Sequence, residues 1–319
     1  MYKRDMNDDA TIVIRRAPVR QKKSRLPLAI GGALAVLLLA AGGTWFVFGQ
    51  QPLIQIDTKT EAEIDGMQPC NIEVSRFAAD PDIVVIDFPN LLTQGLALDR
   101  VAALVEKANL PRDRVLGDVE LQEAITNCGE TIESYYYGHD YQAADLAKFF
   151  RLAAQENIQL NPQELWLKRL VNQLGWLQPG ADGAIITLPA TGGPVTPDMR
   201  AVILHHELSH GAFYTDATYR QYAVSFWNSL TPSDRAAFTG FLGRQGYDTA
   251  DTTLMLNETQ AYLIFTRDPR FFNGTAVGMT QVEIVQLRAG FIANMPNFWL
   301  QPMANATLPV GAAPAVCPA

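Results

Sequence analysis

The sequence predicts an α+β protein, predominantly helical with a small sheet, set behind one N-terminal transmembrane helix. Three observations predict this: an uncharged apolar stretch near the N-terminus, two short β-branched runs each closed by proline, and a series of capped helical segments around them. With 319 residues, 48% hydrophobic and 18% charged, the chain can bury a sizeable core and is not a disordered tail protein.

The apolar stretch runs from Leu26 to Gly49 without a charged residue. At about 1.5 Å per residue it can span a hydrocarbon core of roughly 30 Å. Residues 1–25 before it carry eight Lys and Arg against three Asp, a basic tail that the positive-inside bias keeps in the cytoplasm, with Trp45 and Phe48 at the opposite interface. A cleaved signal peptide is the competing reading, but the run is long for one and no small-x-small site closes it. Everything from about Gln50 onward is thus expected outside the cytoplasm, which is the periplasm if the cell is Gram-negative. That part carries 17 basic and 30 acidic side chains, which argues against a nucleic-acid partner. Three cysteines suit an oxidising compartment, with Cys70–Cys128 the preferred pair, and none sits in a CxxC setting.

Residues 50–80 are polar and without period and read as a stalk; 81–304 read as the folded domain and 305–319 as an Ala/Pro-rich tail. Ile83 to Phe88, stopped by Pro89, suits a buried strand. Helices are expected over about 94–108, 118–127, 141–156 and 162–174, the last with Asn161 as cap and Pro162 at its first position. Ala184 to Leu188 is a second strand. Thr196-Pro197-Asp198 then opens the next helix with a hydroxyl cap, a preset first residue and an acid at the positive end. Further helices are expected at about 217–229, 232–245 behind Thr231-Pro232, 252–266 and 280–293.

Three of the four histidines fall within six residues, in Leu204-His205-His206-Glu207-Leu208-Ser209-His210-Gly211. On a helix, His206 and His210 lie one turn apart on one face, so both imidazoles can reach a single ion at about 2.0–2.1 Å. Glu207 then points beside the ion, where a carboxylate can take the proton of a water; His205, about 100° around the helix, faces away. From the chain's own composition, HExxH arises by chance roughly 0.002 times per chain, so coincidence is a poor account.

A catalytic zinc needs a third protein ligand and an open fourth position. Glu258, in Leu256-Asn257-Glu258-Thr259-Gln260-Ala261-Tyr262, and Asp216, six residues after His210, compete for the role. Asp216 needs a sharp turn after the motif helix, where the extended motif uses glycine and this chain has Phe213, whose Cβ disfavours left-handed backbone. Glu258 is therefore preferred.

His206-Glu207-Leu208-Ser209-His210 followed by Asn257-Glu258-Thr259-Gln260-Ala261-Tyr262 resembles the gluzincin branch of zinc metallopeptidases over about 90 residues. The resemblance implies a zincin fold, with His206, His210 and Glu258 holding Zn2+, Glu207 as general base toward water, and an edge strand before the motif helix that takes an extended peptide by strand addition. Ala184 to Leu188 is the candidate for that strand. Thermolysin-like members carry an acid four residues after the ligand Glu, where this chain has Tyr262, so the carboxylate that orients a ligand histidine is left open.

An oxyanion donor is also expected. The aromatic segment Tyr135-Tyr136-Tyr137-Gly138-His139-Asp140-Tyr141 holds the remaining histidine; His139, with Asp140, is the first candidate for a catalytic donor or a supporting pair, and Tyr214 and Tyr262 are nearer to the ligands in sequence. The function expected is a membrane-anchored, extracytoplasmic zinc peptidase acting on proteins or peptides of the cell envelope. A non-catalytic zincin-fold scaffold or binding protein, and metal-assisted hydrolysis of a non-peptide substrate, are the alternatives.

Overall fold

The computed structural model describes residues 52–305. In them a five-stranded mixed sheet, ordered β1-β2-β3-β5-β4, separates two helical layers. The strands are β1 (Asp57–Lys59), β2 (Glu73–Phe77), β3 (Asp80–Phe88), β4 (His139–Gln142) and β5 (Ala184–Pro189). β3 and β5 are parallel neighbours, and β4 pairs antiparallel with β5 at the sheet edge. The expected α+β class, dominated by helices, is thus what the chain adopts.

The two apolar runs are uninterrupted because both faces of β3 and β5 are covered. Ile83, Val85, Ile186 and Leu188 face one helical layer; Val84, Ile86, Phe88 and Ile185 face the other. On this second face pack α2 (Leu91–Val105), α4 (Ala143–Gln155) and α5 (Pro162–Gln173). The first face carries α6 (Pro197–Thr215), α7 (Ala217–Ser229), α8 (Pro232–Arg244), α9 (Thr252–Gln260), α10 (Gln281–Asn294) and α11 (Leu300–Asn305). Short α1 (Glu61–Asp65) and α3 (Asp118–Asn127) complete the set. The caps read from sequence are present. Asn161 and Thr231 form capping boxes with Glu164 and Asp234, and the Thr196 hydroxyl accepts from the Met199 N–H at 3.3 Å.

α6 is locked onto the sheet by Arg200. Its guanidinium donates to the Pro189 carbonyl ending β5 (2.6 Å), to the Ile64 carbonyl in α1 (2.7 Å) and to the Asp87 carboxylate of β3, all buried. Further along, a Cβ on Gly211 would stand 2.8 Å from Ile83 Cδ1, so glycine is what lets the helix lie this close to β3. The middle of α6 is thereby held against the sheet near β4.

Four expectations change. Residues 50–80 are not a stalk, since residues 57–77 form β1, α1 and β2; the polarity comes from outward positions at the sheet margin, such as exposed Asp57, Thr58 and Glu73. The edge strand beside α6 is β4 and not Ala184 to Leu188. β5 is buried at every position and needs neighbours on both sides, whereas short polar β4 tolerates the edge. The helix expected over 252–266 stops being α-helical at Gln260 and continues as a π-turn, Ala261–Phe265. Cys70 is disulfide-bonded while Cys128 is a free, exposed thiol, so the pair Cys70–Cys128 is not formed. Cys70 leads into β2, and Cys128 lies beside Lys107 and Tyr135. The basic tail 1–25, the apolar stretch 26–49 and Cys317 lie outside the described residues; among those described, no helix is long and apolar enough to cross a membrane.

Arg200→Met is expected to cost about 3–5 kcal/mol by leaving Asp87 buried without its cation. Urea denaturation followed by circular dichroism checks this, and a loss below about 1 kcal/mol would contradict the role given to Arg200.

Candidate metal centre

Helix α6 places His206 and His210 one turn apart with their Nε2 atoms 3.1 Å from each other. Glu258, on α9, brings Oε2 to 3.8 Å from each of those nitrogens. The three ligand atoms lie within 4.8 Å of one another, a group that could hold a metal ion. Glu258 and His210 are almost wholly buried and the His206 side chain is 14% exposed, so the group opens on one side only.

The donor chemistry fits a cation. Thr266 gives its hydroxyl proton to the Ala261 carbonyl (3.2 Å), so its oxygen accepts from His206 Nδ1–H at 2.7 Å. That bond fixes the tautomer and leaves the Nε2 lone pair toward His210 and Glu258. The π-turn is what delivers Thr266: its N–H bonds five residues back to Ala261, and the extra residue re-aims the side chain. Glu258 Oε2 is buried without a hydrogen-bond partner among the described residues, as a ligand atom would be in the absence of its ion. Burial, and then His210, hold His206 well below the usual histidine range, keeping it neutral.

Asp216 is not part of this group. It ends α6 and caps α7, accepting from the Tyr219 N–H at 2.8 Å. The helix runs straight through Phe213, so no early turn carries Asp216 back. His205 faces away as expected and pairs with Glu61 of α1 at 2.5 Å.

Glu207 is buried next to the group, against Gly138, just before β4. A Cβ there would stand 2.9 Å from Ile203 Cγ2 and run into the Glu207 carboxylate, so the absence of a side chain at Gly138 makes the room that Glu207 occupies. The β4 register then decides between the next two residues. Asp140 opposes Ile186 and shares its face, toward α6; His139 opposes Thr187 and points to the other layer. His139 accordingly sits 3.4 Å from Asp99 on α2 and 3.4 Å from the Thr187 hydroxyl, away from the histidine pair. The expectation of His139 as a catalytic donor is corrected by the pleat, which gives that position to Asp140. Asp140 Oδ2 is 3.7 Å from His210 Nε2, and its Oδ1 accepts from Tyr214 at 2.6 Å.

Four carboxylates, Glu106, Asp140, Glu207 and Glu258, therefore share one buried region. Burial first, then the charges of Asp140, Glu258 and Glu106, push Glu207 well above the usual carboxylate range. Glu258 is raised by burial and by Asp140 and Glu106, against the opposing pull of the Tyr247 hydroxyl and Lys107. Glu106 is raised by burial and Asp140. A bound divalent cation reverses the sign of this environment.

The region opens into a cavity of about 590 Å³ whose walls include His206, Glu207, Gly138, the tyrosines 135, 136, 137, 247 and 262, Thr266 and Lys107. Thr266, Tyr247, Glu106 and Lys107 were not singled out from sequence. Glu106-Lys107 reads there as an ordinary charged helix end, and nothing in the residues after Glu258 signals a π-turn.

No family model, curated protein or solved structure matches the chain, and the meaning of the site rests on its own geometry.

Thr266→Val removes the acceptor that orients His206 and is expected to weaken metal binding about 10–100-fold, with Thr266→Ser near wild type. Competition with a fluorescent chelator measures this; equal affinity in all three proteins would contradict the orienting role.

Proposed function

We propose that the protein is a zinc-dependent hydrolase of the gluzincin type that cleaves peptide bonds. The observation that supports this most is the convergence of His206, His210 and Glu258 on one point, with the Glu207 carboxylate beside it and a cavity in front. His206, His210 and Glu258 would hold the ion. When bound, zinc supplies a Lewis acid that makes a water acidic near neutral pH and polarises a carbonyl. Glu207, kept in place by Gly138 and Ile203, takes the proton from the attacking water and returns it to the leaving amine. That role needs Glu207 as a carboxylate, the form a bound divalent cation favours in this cluster. Tyrosines line the wall, with the Tyr262 ring edge-to-face against His206 at 4.9 Å between centroids, and a hydroxyl from among them would serve the developing oxyanion.

The fold is in keeping with a zincin. A mixed sheet ends in an antiparallel strand beside the motif helix, and β4 rather than β5 is the strand next to which an extended peptide would lie. The apolar stretch 26–49 would tether the domain to a membrane, with the domain on the extracytoplasmic side. A disulfide at Cys70 agrees with an oxidising compartment.

One observation favours a second reading. Asp140 Oδ2 approaches His210 Nε2 as closely as Glu258 does, and four protein ligands would close the site and make the metal structural, as in a non-catalytic scaffold. Asp140 lies to one side, however, outside the compact three-ligand group, and a structural site gives Glu207 and Gly138 no task.

Glu207→Gln is expected to keep its zinc and lose about 10²–10⁴-fold in turnover of a mixed fluorogenic peptide library. An unchanged rate would contradict the hydrolytic reading. Asp140→Ala is expected to retain one zinc per chain by elemental analysis; loss of the metal would favour the closed, structural site.

A further inference from the structure

Lys107 stands in the wall of the same cavity, and beyond its pull on Glu258 and Glu106 no step of the proposed chemistry uses it. It follows α2, and its backbone is fixed by a β-bridge to Tyr247 and by Arg112 Nη2, which donates to its carbonyl at 2.7 Å. Its side chain is just as constrained: Nζ lies 4.3 Å from the ring centroids of both Tyr135 and Tyr136, and the residue is only 7% exposed.

Two aromatic faces hold an ammonium without neutralising it. Burial lowers the proton affinity of Lys107 and the Glu106, Asp99 and Glu130 carboxylates oppose that by favouring its charge, yet among the described residues no carboxylate comes within the 4.0 Å of an ion pair and none of its three N–H groups has a hydrogen-bond acceptor. The other cations of the cavity are engaged: Arg244 donates to the Ala276 carbonyl and Arg270 pairs with Asp268. A buried cation with free donors, facing a cavity, calls for an anionic ligand. The surrounding acids oppose a dianion more strongly than a ligand with a single negative charge. A cavity of about 590 Å³ matches a ligand of a few residues.

We infer that Lys107 binds a carboxylate of the substrate, so that the cavity selects short peptides carrying either a free C-terminal carboxylate or an Asp or Glu side chain close to the bond presented to Glu207. The position relative to that bond rests on the peptidase reading; the carboxylate site itself does not.

The test is calorimetric titration of the full-length, zinc-loaded Glu207→Gln protein with three probes: N-acetyl-Gly-Ala-Phe as the free acid, the same peptide as its C-terminal amide, and N-acetyl-Gly-Ala-Asp as its C-terminal amide. At least one carboxylate-bearing probe is expected to bind about tenfold or more tighter than the neutral amide, and which one does so identifies the carboxylate's source. Adding Lys107→Met should erase the difference at unchanged zinc content, and Lys107→Arg should keep it. Equal binding of all three probes, or a preference that survives Lys107→Met, overturns the inference. If wild-type protein cleaves no peptide while the Lys107-dependent preference persists, the peptidase reading falls and the carboxylate site stands.

Discussion

The constraint on which the structure turns is negative charge that the fold gathers but does not itself compensate. Glu106, Asp140, Glu207 and Glu258 come from four separate segments and meet around two imidazoles, one of which is kept neutral by burial. Lys107 is the neighbouring ammonium that opposes them at Glu258 and Glu106. Ionised carboxylates in such a place are costly, and folded proteins either protonate them or supply a cation. Two imidazole nitrogens and a carboxylate oxygen, all within 4.8 Å, offer a divalent ion the means to settle that imbalance.

The scaffold is arranged to hold those groups still. Arg200 and Gly211 press α6 against β3 and β5, which sets the depth of the histidine pair relative to the sheet. A single π-turn after Glu258 turns Thr266 onto the back of His206, so one helix supplies both a ligand and the group that orients another. On the opposite side, the pleat of β4 presents Asp140, and Gly138 just before it leaves room for Glu207. Each of these features is local, and together they fix His206, His210, Glu258 and Glu207 from three directions.

Much of this was legible in the sequence, for identifiable reasons. The i and i+4 spacing of His206 and His210 is a helix-face signal that survives any context, and Thr196-Pro197 marks where that helix begins. Phe213 already argued against a tight turn, and Asp216 is indeed found as a cap. What was not legible depends on pairing across the sheet. β4 is four residues long, too short for a period to show, and whether His139 or Asp140 faces α6 is decided by its register with β5. The polar run at 57–77 hid two marginal strands because most of their outward side chains are exposed. Lys107 shows nothing in sequence; its meaning arises only when Tyr135, Tyr136 and Tyr247 close around it.

On the proposed reading, the Glu207 carboxylate beside the His206, His210 and Glu258 group and the aromatic cavity in front serve chemistry on a bound molecule, whereas a purely structural metal would need neither base nor cavity. The central claim is that the His206, His210 and Glu258 group carries a metal ion. Elemental analysis of the full-length protein, purified without chelators and then titrated with zinc, tests it most directly. One transition-metal ion per chain is the predicted result; no bound ion, and none taken up on titration, would contradict the account.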